Sequence, residues 1–160
     1  MHSVEELKKA HRVIATYRYT PAPITRGYSD KRLHINLSHL EIREHTIPEK
    51  IKEIFIGGKG YGLWFLWQAT QPTTKWSDPE NELCFCNGPI MGITQYPGSG
   101  KCHVVGISPI TGLPMDNNVG GYFGSFLKFS GFDLLEIQGK AEKDVIIFID
   151  GNEGLVQIEE

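Results

Sequence analysis

The sequence predicts an α+β domain rich in strands. Segments that read as strands outnumber those that read as helices, and several strands follow one another with no helix between them, which argues against a doubly wound parallel sheet. The glycines agree. Twelve of the eighteen gather at 57–62, 88–100 and 120–131 and mark particular loops of a folded body instead of a linker.

From the N-terminus, Ser3 and Glu6 have capping-box spacing, and Val4, Leu7, Val13 and Ile14 follow a helical stripe up to about Tyr17. The prolines and glycine of TPAPITRG, 20–27, turn the chain into an extended connector. Residues 1–25 are therefore expected to form a helical appendage and linker, and residues 26–160 the domain. RLHINL alternates Leu33, Ile35 and Leu37 inward as a strand, and HLEIREHTI continues as a second after a turn at Ser38 and His39. PEKIKEIF reads as a short helix with Pro48 in its first turn. After IGGKGYG comes a second helix, LWFLWQAT. ELCFCNG and HVVGIS are strands; GGYFGSFLKFSG is a helix, with Phe123, Phe126, Leu127 and Phe129 as its bulk. DLLEIQG, DVIIFID and GLVQIEE close the chain as successive strands, with DGNEG as the last turn.

A hydrophobic content of 40%, a charged content of 22% and a net charge of -3 are those of a globular protein without a basic surface for nucleic acid or membranes. No apolar run is long enough to cross a bilayer. MHSVEELKKAH is charged early and does not read as a signal peptide. Three cysteines, an odd number, predict free thiols in a reducing cytoplasm.

PGSGKC, Pro97–Cys102, has the look of a phosphate loop. A nucleotide P-loop requires glycine where Gln95 stands and a hydroxyl where Cys102 stands, so the motif fails at both ends. A glycine turn followed by a cation still suits an anion; the plainer reading is a loop with a surface lysine. CFC puts Cys84 and Cys86 on one strand face, and with Cys102 and His103 they make a metal corner conceivable. C-x-C lacks the gap that wraps a loop around a metal, so buried structural thiols are the better reading. The histidines show no H-E-x-x-H spacing, and His34 is assigned to the surface. IGGKGYG is not a dinucleotide fingerprint; its glycines let a helix pack closely. In MDNNVGGYFG, Asn117 and Asn118 precede paired glycines at an expected helix start. They cap that helix, or the turn holds an anion and its counter-cation.

FIGGKGYG, SDPENELCFCNGPIMG, PGSGKCHVVGISPITG and NNVGGYFGSFLKFSGFDLLEIQGKAEKDVIIFI together resemble, in order and spacing, the N-terminal domain of the tungsten-dependent aldehyde ferredoxin oxidoreductase family. The resemblance runs from about Gly27 to Glu160. It implies the β-rich, pterin-binding domain of that family, apparently only its first part. It also implies enzymes that oxidise aldehydes to carboxylic acids on a tungsten (or molybdenum) bis-pterin and pass electrons through a 4Fe-4S cluster to ferredoxin. Benzoyl-coenzyme A reductases share the superfamily. By the same resemblance Lys101 stands where the family has a phosphate-binding arginine, Asn118 offers its backbone carbonyl to the Mg that bridges the pterin phosphates, and Gly120 is the family's following glycine. Lysine keeps the charge but loses the bidentate fork. The cysteines here do not match the family's cluster cysteines, so the 4Fe-4S cluster and the aldehyde pocket are expected on domains outside this chain. Three functions follow as expectations: a component of such an oxidoreductase, a non-catalytic assembly or remnant subunit that keeps the fold, or part of a benzoyl-coenzyme-A-reductase-like member of the same superfamily. The apolar faces carrying Leu33, Ile35, Val104, Val105, Leu135, Ile146 and Ile147 are expected to lack a covering layer. Self-association, or packing against the polypeptide with the remaining domains, is expected from that.

Overall fold

The computed structural model describes residue 6 and residues 9–160. The expected N-cap Ser3, with Val4 and Leu7, lies outside them; Glu6, Lys9 and Ala10 are helical. The strands are β1 (Val13–Arg18), β2 (Lys31–Asn36), β3 (Glu41–Thr46), β4 (Glu82–Cys86), β5 (Cys102–Ile107), β6 (Pro114–Val119), β7 (Leu134–Gln138), β8 (Ile146–Asp150) and β9 (Leu155–Glu159). The helices that follow β3 and β6 are α1 (Glu49–Phe55), α2 (Lys59–Ala69) and α3 (Phe123–Phe129). A six-stranded sheet has the order β3-β2-β7-β4-β5-β6, and a three-stranded sheet the order β1-β9-β8. Only β2 and β7 run parallel; the other pairings are antiparallel, as an α+β fold requires.

Two expectations fail here. Residues 13–18 are strand, not helix, and β1 pairs along its length with β9. VIATYR is β-branched and aromatic, and its adjacent Val13 and Ile14 fit a helical stripe only while β9 is out of view. Residues 13–18 are thus integral to the fold, and a boundary at residue 25 does not separate them from it. Similarly, Asn117 and Asn118 do not cap α3. They lie in β6, an edge strand that starts at Pro114, where the missing amide costs no ladder bond, and the N-cap is Tyr122.

The six-stranded sheet is covered on both faces. On one, α2 lays Tyr61, Phe65 and Leu66 over Cys84, Cys86, Val105 and Leu134. On the other, Val156 and Ile158 of the small sheet, with Leu127 and Phe132, cover Leu33, Ile35 and Leu135. The missing layer is therefore present: Leu33, Ile35, Val105 and Leu135 are 0–2% exposed, Val104 is 8% exposed, and Ile147 packs against the second cluster. Ile146 alone of that group stays open. Helix α3 also leaves aromatic side chains uncovered. In α3 the buried residues are Gly124, Leu127 and Lys128, while Phe126 and Phe129 are 62% and 54% exposed.

A buried ion pair anchors the connector to this body. Lys128 and Asp133 meet at 1% and 0% exposure. The Lys128 ammonium also donates to the Gly27 carbonyl at 2.7 Å. Asp133 Oδ2 accepts the Ser29 and Asp30 amides at 3.0 and 2.8 Å. Gly27 has φ 85, and a Cβ there would sit 2.2 Å from the Pro89 carbonyl oxygen, so no other residue fits the approach.

Candidate phosphate-binding cleft

The β5–β6 hairpin determines which sequence-predicted residues meet. Its register pairs Cys102 with Val119 and His103 with Asn118, so Lys101 emerges level with Gly120 at the same sheet end. The two glycine turns approach each other there: a Cβ on Gly100 would lie 3.7 Å from the Gly121 carbonyl oxygen. The stretch PGSGKC is thus the rim of a hairpin, and its lysine is the last residue before β5.

Beside this rim lies a cleft of about 190 Å³. Its walls are the turn before α2 (Ile56, Gly57 and Gly58), the turn after β4 (residues 88–91), and Gly98, Ser99, Lys101 and His103. Lys101 is exposed and has no ion-pair or hydrogen-bond partner for its side chain among the described residues. Asn118 and Gly120 stand on the neighbouring strand end and do not line the cleft. Gly58 is the N-cap of α2 and brings no side-chain cap, so the positive end of an 11-residue helix faces this region. Its own amide donates to the Asn87 carbonyl at 2.9 Å, which ties the turn to the end of β4.

Three residues whose mutual contacts sequence reasoning did not find complete the surroundings. Lys59, the first residue of α2, pairs with Asp116 of β6 at 2.6 Å. Asp116 Oδ2 lies 3.5 Å from His103 Nδ1, too far and too poorly aligned to satisfy that buried nitrogen. The Lys59 ammonium holds the Asp116 carboxyl below the usual carboxylate range. These contacts depend on hairpin register. The one sequence signal was Lys59 itself, inside the quoted IGGKGYG.

The cysteines take no part in the cleft. Cys84, Cys86 and Cys102 are free thiols at 0% exposure, and burial pushes the thiols of Cys84 and Cys86 well up. Among the described residues no helix is long and apolar enough to cross a membrane.

A phosphate fits what is present. The rim offers an unpaired ammonium and an uncapped helix end. Side chains added at Gly88 or Gly98 would project into open space, so the backbone there is accessible to a ligand.

The fold and cleft together define a two-sheet α+β domain with a glycine-walled recess and a free lysine at its rim. Residues 32–160 match the family described as aldehyde ferredoxin oxidoreductase, N-terminal domain, and the chain belongs to that family. A tungsten-containing aldehyde ferredoxin oxidoreductase of Pyrococcus horikoshii is 40% identical over 124 residues, which are 78% of this chain and 20% of that protein. A Pyrococcus furiosus protein named aliphatic sulfonate oxidoreductase, WOR-like subunit, is 32% identical over 126 residues, 77% of this chain and 20% of its own length. The chain thus spans about a fifth of the relatives it matches. Among solved structures, the active site complex BamBC of benzoyl coenzyme A reductase with 1,5-dienoyl-CoA superposes with a TM-score of 0.78 at 27% identity. That match covers 84% of this chain and 20% of the other.

Proposed function

We infer that this chain supplies the pterin-phosphate platform of a tungsten (or molybdenum) bis-pterin oxidoreductase. The whole enzyme would oxidise aldehydes to carboxylic acids with ferredoxin as acceptor. The observation that carries this reading is the position of Lys101, unpaired at the rim of a recess whose other walls are glycine turns. In this reading Lys101 holds a pterin phosphate as a point charge, the Asn118 backbone carbonyl is a Mg ligand, and Gly120 lets the phosphate approach the strand end. When bound, the metal centre supplies the two-electron redox chemistry. The 4Fe-4S cluster and the aldehyde pocket would lie on the remaining domains of that enzyme.

Lys101→Ala in the assembled enzyme is expected to lower tungsten and pterin content while leaving the melting temperature of this domain unchanged. A charge-assisted phosphate contact is worth about 1–3 kcal/mol, or roughly tenfold in occupancy at limiting cofactor. Lys101→Arg should retain or raise the content, because the guanidinium fork suits phosphate. Equal cofactor content in Lys101→Ala and parent would defeat the assignment.

A second reading, an assembly subunit that binds a protein and no cofactor, is favoured by the aromatic surface of Phe126 and Phe129 beside Phe148 at the β8 edge. Both readings predict that this surface docks the remaining domains or, in their absence, a second copy. Light scattering of the purified chain should therefore show self-association, weakened at least tenfold by Phe126→Asp at unchanged melting temperature. A monodisperse parent with no affinity for the other polypeptide would refute the docking role. Metal and pterin analysis of the complex separates the two readings.

A further inference from the structure

The second polar centre of the molecule lies under the same helix as the cleft, near its opposite end. On the α2 side of the large sheet, Glu136 of β7 is level with His34 of β2 and Cys84 of β4. Glu136 and Glu82 are 1% and 4% exposed. Arg32 forms an ion pair with Glu136, and its guanidinium carbon lies 4.6 Å from the ring centre of Phe65 on α2. His34 Nε2 lies 3.6 Å from Glu82 Oε1; a side chain that read as a surface residue is 18% exposed. The Cys84 thiol donates weakly to Glu82 at 3.9 Å. A groove of about 480 Å³ opens above the group. Its border is Glu41, Arg43 and His45 of β3, Gln138 of β7, and Phe65 and Gln68 of α2, which adds no charge of its own.

Two carboxylates are thus buried against one permanent cation, Arg32. Charge balance in that setting requires one further proton, on a carboxyl or on His34. The cluster touches α2 through Phe65, and α2 carries the cleft's Gly58 and Lys59 at its N-terminal end.

We propose that the Arg32–Glu136–Glu82–His34 cluster is a proton-operated latch on α2, which seats the helix against the sheet while the cluster holds a proton and loosens it when the proton leaves. Titration behaviour supports this. Burial, then the nearby Glu82, raises Glu136 to about 7 against the pull of Arg32, and the facing Glu82 carboxylate raises His34. The Cys84 and Cys86 thiols face the same site and stay protonated, while burial and Arg32 lower His45.

The sign follows from linkage. A carboxyl raised in the folded state gives a stability contribution that is complete in the ordinary carboxylate range and is lost as pH climbs to about 7. The raised His34 contributes in the same direction, complete below the unfolded histidine value and lost as pH rises through its folded one. The fold is therefore held harder at pH 5.5 than at pH 8.5, independently of what occupies the cleft.

The test is equilibrium unfolding of the full chain between pH 5.5 and 8.5, with amide exchange of residues 62–69 corrected for intrinsic base catalysis. The parent should lose at least roughly tenfold in its folding constant towards pH 8.5, the equivalent of one unit of pKa shift, with faster exchange in α2. Glu136→Gln should remove most of that slope. A flat parent profile, or an unchanged slope in Glu136→Gln, overturns the latch. Should that variant not fold, the carboxyl ¹³C titration of Glu136 in the parent decides. A midpoint near neutrality upholds the proposal, and one at the ordinary carboxylate value overturns it.

Discussion

Asp133→Ala is expected to cost about 3–5 kcal/mol, because it strands a buried ammonium. Lys128 is 1% exposed and keeps its bond to the Gly27 carbonyl and the face of the Tyr28 ring, but no counter-charge, once the carboxylate is gone. The Ser29 and Asp30 amides lose their acceptor in the same step. For a domain of this size that loss lowers the melting temperature by roughly 10 °C. Lys128→Met combined with Asp133→Ala should recover part of it, since no unpaired charge then remains, although the two amides and the Gly27 carbonyl are left unsatisfied. Calorimetry of the two variants checks the pair. If Asp133→Ala alone melts within a degree or two of the parent, the pair does not anchor the connector.

Gly62→Val is expected to cost about 3 kcal/mol by overpacking. A Cβ at Gly62 would lie 2.5 Å from Val105 Cγ2 and 2.8 Å from Cys86 Sγ, both on the buried sheet face. Both neighbours are 0% exposed, and valine is stiff at its branch, so neither yields readily. The gain of roughly 0.5 kcal/mol or less in helix propensity does not offset the clash. Gly120→Ala is the matched control: a Cβ there meets nothing within 4 Å, so its stability should be unchanged. Urea unfolding of both variants reads the difference. Equal midpoints would show that α2 is not seated as tightly as its contacts imply.

How far the sequence disclosed this fold depends on what each strand faces. Alternation exposed β2, since Leu33 and Ile35 point one way and Arg32 and His34 the other. It misassigned His34 to solvent because a sheet covered on both faces has no solvent side for its polar residues to mark. Glu136 was hidden for the same reason. β1 was lost because its partner is at the far end of the chain, and β6 because a polar edge strand has no apolar face to announce it. At the cleft, Lys101 was legible through its glycine turn and the family likeness. The Lys59–Asp116 contact was not, since a helix start and an edge strand meet only through tertiary packing.

The pairing of β1 with β9 also bears on how the molecule comes to be made. Arg12 and Glu160 exchange backbone hydrogen bonds at 2.8 and 2.9 Å, and Val13 is in register with Glu159. Strand β1 must therefore wait for β9 to be made, and closing so long a loop is among the slowest contacts a chain can form. Until β9 arrives, Leu33, Ile35 and Leu135 lack the cover of Val156 and Ile158. A nascent chain stalled before residue 155 should present this face to chaperones, whereas one with β9 clear of the ribosome should bury it. Ribosome-bound chains of graded length, scored for chaperone crosslinking, would show that crosslinking end abruptly over β9.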